Sequence, residues 1–249
     1  MLSKAQISLV TSLQHKKFRK QHGLFIVEGI KSVAEFINST YSVQTLFYTE
    51  GLETKLGKIP HKIKSYALTA AEFQKISSLT HPQGVLALVE IPAAKELSVA
   101  DLQGTFTICL DDIQDPGNLG TIIRTAEWFG FKQIICSAGT VDAYNNKVVQ
   151  ATMGSLARVE VIYTDLVPLF QAAKLPVYGA LLAGENIYQT DFAAAGFIVM
   201  GNEGNGLSTE VIAQVDKAVT IPRIGDAESL NVAVATTIFC SEIVRKRFL

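Results

Sequence analysis

The stretch FTICLDDIQDPGNLGTIIRTAEWFG, residues 106–130, decides the fold of this chain. Its first residues, FTICL, are typical of a buried strand, and its last residues follow a helical period. Pro116 and Gly117 stand between the two, so we predict a strand, a glycine turn and an amphipathic helix. A helix that starts in this way often presents its first N–H groups to a phosphate. Because the predicted helix also carries Asn118 and Arg124, the stretch is a candidate site as well as a fold signal.

Apolar runs alternate with helical patterns along the rest of the chain. In residues 105–249, continuous apolar strands separated by helices predict an α/β domain with a mostly parallel sheet covered on both faces. Residues 1–91 show a shorter alternation, which predicts a small α/β sandwich. The segment PAAKELSVADLQG lacks a strand pattern, so residues 92–104 are predicted to be a linker.

The composition bounds the class of protein. The chain has 249 residues, of which 48% are hydrophobic and 18% charged, enough for one large core or two smaller ones. No apolar run approaches the roughly 20 residues that span a bilayer, and the N-terminus lacks a signal-peptide pattern. The three cysteines are isolated in apolar surroundings, which favours buried thiols over disulfides or metal ligands. We therefore expect a cytoplasmic protein with no membrane partner and no metal.

Charge is distributed unevenly between the two parts of the chain. Residues 1–100 contain 12 Lys and Arg against 7 Asp and Glu, whereas residues 101–249 contain 10 against 16. A basic part joined to an acidic part favours two domains, with the first nearer to a polyanion.

Three unusual loops follow predicted strands in the second part. They are DPGNLG at 115–120, VMGNEGNGLS at 199–208 and IPRIGDAESLNVAVA at 221–235. Ligands of a parallel sheet bind at the carboxyl ends of its strands, so the three loops predict one site. Taken singly, each has an ordinary explanation, because glycines make tight turns and Ser229 could simply cap a helix. A dinucleotide site is disfavoured, since both GxGxxG and GxxxxGK[ST] are missing.

In order and spacing, NLGTIIRTAEWFG, VMGNEGNGLS and IPRIGDAESLNVAVA resemble the three motifs of the SpoU (TrmH-like) branch of the SPOUT RNA methyltransferases. The stretch SLQHKKFRKQHGLFIVEGIKSV resembles the small RNA-recognition domain that many of these enzymes carry. The resemblance implies transfer of the methyl group of S-adenosylmethionine to a ribose 2'-hydroxyl of ribosomal or transfer RNA, with ribosomal RNA favoured. It also implies a homodimer formed through the C-terminal domain. Finally, it implies a deep trefoil knot, an exception to the rule that chains avoid knots.

The motifs of the family imply two sets of site residues. The catalytic set is Asn118, Arg124, Glu203, Ser229 and Asn231. The cofactor-binding set is Leu182, Ala183, Gly201, Ile221 and Leu230.

The family is thought to use the motif arginine to activate the ribose hydroxyl, but a guanidinium stays protonated and has no acceptor. We therefore expect Arg124 to clamp an RNA phosphate and to stabilise the developing alkoxide. The phosphate or another group, with Glu203 as the second choice, would take the proton. Asn118 is expected to hold the catalytic loop and the ribose. Ser229 and Asn231 would lie at the positive end of the last helix, which suits a phosphate or a carboxylate.

A basic stretch in the first part is the candidate RNA contact. It consists of Lys16, Lys17, Phe18, Arg19 and Lys20, and is predicted to be a loop. Cations with one stacking aromatic suit single-stranded or loop RNA, although such a run can also be an ordinary solvated surface.

Other functions stay open at the level of sequence. A non-catalytic RNA-binding or ribosome-assembly factor with the same fold would need broken motifs, and the polar positions here are all present. A base methyltransferase is disfavoured by the asparagine and arginine of the first motif, and a small-molecule nucleotide enzyme by the missing fingerprints.

Overall fold

A computed structural model describes residues 2–95 and 97–246 and divides into two compact units. The first unit combines residues up to 93 with residues 142–158, and the second combines residues 94–141 with residues from 159 onward. The predicted division into continuous ranges therefore misses one excursion of the chain. No helix in the described ranges is both long enough and apolar enough to cross a membrane.

The first unit is built on a mixed four-stranded sheet in the order β1-β4-β2-β3. In chain order its elements are α1 (Lys4–Ser12), α2 (Lys16–His22), β1 (Leu24–Glu28), α3 (Ile30–Ile37), β2 (Val43–Thr49), β3 (Lys64–Leu68), α4 (Ala70–Gln74), β4 (Val85–Glu90) and, far along the chain, α6 (Asn146–Thr152). Strand β4 runs antiparallel to β1 and β2, and β3 runs parallel to β2. The predicted α/β character of this part agrees with these elements.

The basic stretch is a helix and not the predicted loop. Helix α2 contains all five residues of the stretch. The helix ends at Gly23, whose left-handed conformation (φ 63°) glycine adopts without strain. The helix before it begins with a capping box, in which Ser3 and Gln6 each bond the other's main chain.

The excursion 142–158 belongs to the first unit because its side chains pack there. Helix α6 packs against β1, and the rings of Tyr144 and Phe25 lie 4.8 Å apart between centroids. Asp142 at the start of the excursion pairs with Arg19, at 2.6 Å between Nη2 and Oδ2. Its last residue, Arg158, pairs with Glu35. The sequence pattern of α6 is that of any amphipathic helix and does not reveal which core it joins.

The second unit contains a six-stranded sheet in the order β10-β8-β9-β5-β6-β7, in which every recorded pairing is parallel. Its elements are β5 (Phe106–Leu110), α5 (Pro116–Trp128), β6 (Gln133–Cys136), β7 (Glu160–Tyr163), α7 (Leu166–Ala173), β8 (Val177–Asn186), β9 (Gly196–Met200), α8 (Thr209–Ile212), β10 (Lys217–Thr220) and α9 (Val232–Lys246). The central strands β5 and β9 are buried along their whole length, as expected for a sheet covered on both faces. The predicted parallel α/β fold is confirmed.

Two local predictions need correction. The second half of the predicted linker 92–104 forms a 3₁₀ turn, Val99–Leu102, whose Leu102 is fully buried in the core of the second unit. Helix α5 already starts at Pro116, so Gly117 and Gly120 lie inside the helix and do not form a turn before it. The helix starts this early because Asp115 caps it by accepting from the main-chain N–H of Asn118 at 2.8 Å, and proline is well suited to the first helical position.

Strand β8 contains an excursion beside its neighbour β10. Ala218 of β10 pairs with Gly179, but the next residue, Val219, pairs with Glu185. The pairing of β8 with β9 also ends at Gly179, so residues 180–184 form an irregularity in the strand with no registered partner on either side. Gly184 brings the chain back, and a Cβ there would lie 2.6 Å from the main chain of Ala218.

Candidate active site

A continuous chain of side-chain hydrogen bonds joins the three loops that follow β5, β9 and β10. Asn118 Nδ2 donates to Glu203 Oε1 at 2.8 Å. Asn231 Nδ2 donates to Asn118 Oδ1, also at 2.8 Å. The three strands are parallel, so their carboxyl ends lie at the same edge of the sheet. The structure thus brings together three of the five predicted catalytic residues, and we call Glu203, Asn118 and Asn231 the amide chain.

The direction of every bond in the amide chain follows from one helix end. Asn231 precedes α9, and its Oδ1 accepts from the main-chain N–H groups of Ala233 (2.9 Å) and Val234 (3.3 Å). Because only oxygen can accept there, Nδ2 of Asn231 must face Asn118. Asn118 must therefore present its own oxygen to Asn231 and its NH₂ to Glu203. The positive end of α9 is in this way connected through two amides to the Glu203 carboxylate.

The loop that carries Glu203 is closed on itself. Asn202 and Gly206 exchange main-chain hydrogen bonds, and Asn202 Oδ1 also accepts from the N–H groups of Gly204 (2.9 Å) and Asn205 (3.0 Å). Gly201 is required at the base of this loop, because a Cβ there would lie 2.4 Å from the carbonyl carbon of Gly206. Glu203 is therefore held at the tip of a rigid ring.

Two aspartates that follow β5 anchor this ring. Asp111 is buried, and its Oδ2 accepts from both the N–H and the hydroxyl of Ser208, each at 2.7 Å. The main-chain oxygen of Asp112 accepts from Asn202 Nδ2 at 2.7 Å. Asp111, Asp112, Asn202 and Ser208 were not among the predicted site residues. The signal available was the Asp-Asp pair at the end of a buried strand, where a carboxylate needs donors from another loop.

Arg124 lies outside the amide chain. It is exposed on α5 and makes no hydrogen bond or ion pair with any residue in the described part of the chain. Glu203 binds Asn118 and not Arg124. Trp128 lies four residues further along the helix, hence on the same face as Arg124, and is 84% exposed. A free guanidinium therefore projects beside a large exposed aromatic ring.

Ser229 is also exposed, and over the described residues its hydroxyl has no hydrogen-bond partner. It stands two residues before Asn231, which is the residue that caps α9, so Ser229 is not the cap. Residues 222–230 are exposed throughout, and Arg223 Nη1 donates to the carbonyl of Ala227 at 3.2 Å. The hydroxyl is available to a ligand.

The predicted cofactor residues gather partly around the β8 excursion. Leu182 and Ala183 lie on it, and Leu182 is 79% exposed. Thr220 Oγ1 donates to the carbonyl of Leu182 at 3.1 Å, which places the excursion beside Ile221 at the end of β10. Leu230 is half exposed and precedes α9. Gly201 lies at the base of the Glu203 ring, and its contacts are with Gly206 and Leu207.

The β8 excursion is the candidate contact for an adenosyl group. Residues 180–184 have no registered partner in β9 or β10, and the carbonyl of Leu182 accepts from the Thr220 hydroxyl. The exposed side chain of Leu182 offers an apolar face to a flat heterocycle.

The basic residues of α2 divide into two groups. Lys16, Lys17 and Lys20 are exposed, and Phe18 is half-buried with the Lys17 ammonium 5.9 Å from its ring centre. Arg19 is 2% exposed. Its guanidinium donates to the carbonyls of Leu13 and Gln14 and to Asp142, so it is a structural residue and is removed from the candidate RNA contacts.

Comparison with known proteins agrees with this geometry. Residues 105–241 match the SpoU rRNA Methylase family, and residues 4–87 match the MRM3-like substrate binding domain. The chain therefore belongs to the SpoU rRNA methylase family, which confirms the resemblance seen in its motifs.

Individual relatives extend over nearly the whole chain. The 23S rRNA (guanosine(2553)-2'-O)-methyltransferase RlmP of Bacillus subtilis is 32% identical, over 91% of this chain and 90% of that protein. A protein of the TrmH family of RNA methyltransferases from Porphyromonas gingivalis has a solved structure with 39% identity, a TM-score of 0.89 and 99% of each chain covered. The SpoU methyltransferase AviRb of Streptomyces viridochromogenes, in complex with AdoMet, gives 26% identity, a TM-score of 0.87 and 99% coverage of each chain.

Proposed function

We propose that this protein methylates a ribose 2'-hydroxyl of ribosomal RNA with S-adenosylmethionine as the methyl donor. The observation that carries the proposal is the amide chain, which joins the three family motifs into one site at the carboxyl ends of parallel strands. Family membership and the relatives named above confirm the predicted enzyme class and cofactor.

Glu203 is the proton acceptor in this proposal. Its Oε1 is occupied by Asn118, whereas Oε2 has no hydrogen-bond partner among the residues that the structure describes. The amide chain fixes the direction of Oε1 and leaves Oε2 free to take the proton of the 2'-hydroxyl. When bound, S-adenosylmethionine supplies a methyl group that is already activated by its sulfonium. The work left to this chain is orientation and removal of one proton.

Arg124 binds the RNA backbone. A free guanidinium presents a planar fork that matches a phosphate in bidentate fashion, and it stabilises negative charge that develops on the ribose oxygen. Ser229 adds a hydroxyl at the same end of the sheet and contacts either the cofactor carboxylate or the RNA. Asn118 and Asn231 orient Glu203.

The cofactor lies against three segments and one glycine. They are the β8 excursion with Leu182 and Ala183, Ile221 directly after β10, Leu230 before α9, and Gly201 at the base of the Glu203 ring. In the family resemblance these segments form a deep trefoil knot through which the last helix passes, and we propose the same path here. The knot would hold loops from distant parts of the chain in one fixed arrangement.

We also propose a homodimer through the second unit. Helices α5 and α9 pack on each other, with a hydrogen bond of 3.2 Å between the hydroxyls of Thr125 and Thr237. Trp128 and Val234 expose apolar surface on these two helices. Exposed apolar patches often mark protein–protein interfaces. A second copy that covers Trp128 would also bring its groups next to Arg124. Replacing Trp128 with Glu should convert the dimer to a monomer in analytical ultracentrifugation.

The first part of the chain is proposed to recognise the RNA. Its functional range is residues 1–91, followed by the connection 92–104 and the methyltransferase domain 105–249. Lys16, Lys17 and Lys20 attract phosphates, and Phe18 offers a ring edge. Charge reversal at Lys16 and Lys17 should weaken RNA binding and flatten its salt dependence without changing the affinity for S-adenosylmethionine.

Two measurements on the purified protein test the proposed function. Calorimetry should detect binding of S-adenosylmethionine; its absence would favour a non-catalytic assembly factor. Incubation with unmodified large-subunit rRNA and labelled S-adenosylmethionine, followed by nuclease digestion and mass spectrometry, should yield one 2'-O-methyl nucleotide. A methylated base would refute the proposed ribose chemistry.

A further inference from the structure

Glu28, the last residue of β1, is a buried carboxylate with no use in the site described above. Its side chain is 4% exposed, and no cation pairs with it within the described ranges. Its oxygens accept from the hydroxyl of Ser77 and from the N–H (3.2 Å) and hydroxyl (3.3 Å) of Ser78. Burial raises the pKa of the Glu28 carboxyl above its ordinary value, and these hydrogen bonds oppose part of that rise. A carboxylate is costly to bury, and the Glu28 carboxylate holds one end of a surface loop through Ser77 and Ser78.

The other end of this loop is fixed at Gly84, and Gly29 lies beside the loop; both have a positive φ that favours glycine. Gly84 has φ +75°, and a Cβ there would lie 2.1 Å from Thr49 Oγ1. The carbonyl of Gly84 accepts from both the N–H (2.8 Å) and the hydroxyl (3.1 Å) of Thr49. Gly29 has φ +103° and lies against the Gln83 side chain. We call Ser77–Gly84 the Glu28 loop.

The Glu28 loop presents polar side chains that the unit itself does not use. Thr80, His81 and Gln83 are exposed, and their side chains make no hydrogen bond to any described residue. Two exposed cations are close in sequence: Lys31 follows Glu28 by three residues, and Lys75 precedes Ser77 by two. An exposed loop that is anchored to the unit by a buried carboxylate, and whose polar side chains have no partners among the described residues, is typical of a binding loop.

We propose that the Glu28 loop contacts an unpaired nucleotide of the RNA substrate and that Glu28 is its positioning residue. The His81 ring stacks on the base, and the Gln83 amide bonds its edge, since an amide can both donate and accept. Lys31 and Lys75 attract the neighbouring phosphates. The inference rests on the proposed function, in which the first unit recognises RNA, and adds a specific contact to it.

The direct test measures binding of the full-length protein to unmodified large-subunit rRNA. His81→Ala and Gln83→Ala should each weaken RNA binding and raise KM for RNA by about fivefold or more, because the first removes a stacking ring and the second removes hydrogen bonds to the base edge. The kcat, the affinity for S-adenosylmethionine and the melting temperature should stay at wild-type values. His61→Ala, another exposed histidine of the same unit, is the matched control and should not change RNA binding. Wild-type affinity in both loop variants would overturn the proposed contact.

A double-variant cycle tests the role of Glu28. Glu28→Ala should weaken RNA binding, and adding Gln83→Ala should weaken it little further, because the loop is already misplaced. Glu28→Gln keeps one acceptor oxygen, for either Ser77 or Ser78, and should restore part of the affinity lost in Glu28→Ala. Fully additive losses would overturn the positioning role. If wild-type protein neither bound nor methylated RNA, the proposed function would fail. If wild-type protein did both and the loop variants bound RNA equally well, this inference alone would fail.

Discussion

Arg19 and Arg124 were both singled out in the sequence as candidate RNA-facing cations, and the structure gives them opposite environments. Arg19 in the first unit is 2% exposed, and its guanidinium donates to two carbonyls and one carboxylate. Arg124 in the second unit is exposed, and no partner for it exists in the described part of the protein. The number of hydrogen bonds that a guanidinium already makes separates a structural arginine from one that is available to a ligand.

The hydrogen-bond networks of the two units differ in the same way: the Arg19 cluster in the first unit and the amide chain in the second. The Arg19 cluster is closed, because its donors are taken by groups of the same unit. The amide chain is open, because it ends on a carboxylate oxygen without a partner. Variants of the closed cluster should therefore change stability, and variants around the open one should change rate.

The largest stability effect is expected at Arg19. Arg19→Ala leaves the Asp142 carboxylate, whose side chain is 16% exposed, without its partner, and should lower the free energy of unfolding of the first unit by about 3–5 kcal/mol. Urea denaturation measures it. Lys20→Ala, on the same helix but exposed, should change stability by no more than about 0.5 kcal/mol. Equal unfolding curves for Arg19→Ala and wild type would contradict the closed-cluster interpretation.

Arg124 should show the reverse behaviour. Arg124→Ala should lower kcat/KM for methyl transfer by about a hundredfold to a thousandfold, since it removes a donor from developing charge, and should leave the urea midpoint unchanged. Lys132→Ala, an exposed cation shortly after the same helix, is the control. Arg124→Lys keeps the charge and loses the fork; near-wild-type activity in this variant would show that bidentate geometry is irrelevant.

The amide chain can be broken without loss of the helix cap. Asn231→Asp still accepts from the N–H groups of Ala233 and Val234, but it cannot donate to Asn118. We expect activity to fall by about tenfold or more with an unchanged melting temperature, because about 1.4 kcal/mol or more of transition-state orientation at Glu203 is lost. Asn231→Ala should lose both activity and about 1 kcal/mol of stability. Full activity in Asn231→Asp would remove the amide chain from the mechanism.

The smallest expected effect is a pH dependence at Glu28. Burial raises the pKa of its carboxyl in the folded state above the ordinary value of 4.5, so the folded protein holds this proton more tightly than the unfolded chain. The contribution of Glu28 to stability should therefore be present below pH 4.5 and should decline as the pH rises through the folded pKa. Relative to Glu28→Gln, wild-type protein should lose stability over that window. A difference between the two that does not vary with pH would contradict this.

Much of the fold could be predicted because its signals are local. The apolar runs of β5 and β9 depend on neighbouring residues, and both strands lie where they are predicted, whereas α5 begins earlier than predicted because Asp115 caps it. The excursion 142–158 could not be predicted, because which core α6 joins depends on Arg19 and Phe25, more than a hundred residues away. Likewise the motifs indicated Asn118, Glu203 and Asn231, but which of them hydrogen-bonds to which depends on the fold.

The most direct test of the central claim compares rRNA from a strain that lacks this protein with rRNA from strains that carry it. Digestion and mass spectrometry should show one 2'-O-methyl nucleotide lost in the deletion strain. Wild-type protein should restore it, Lys132→Ala should restore it equally, and Arg124→Ala should not. An rRNA with unchanged ribose methylation in the deletion strain, or full restoration by Arg124→Ala, would contradict the account.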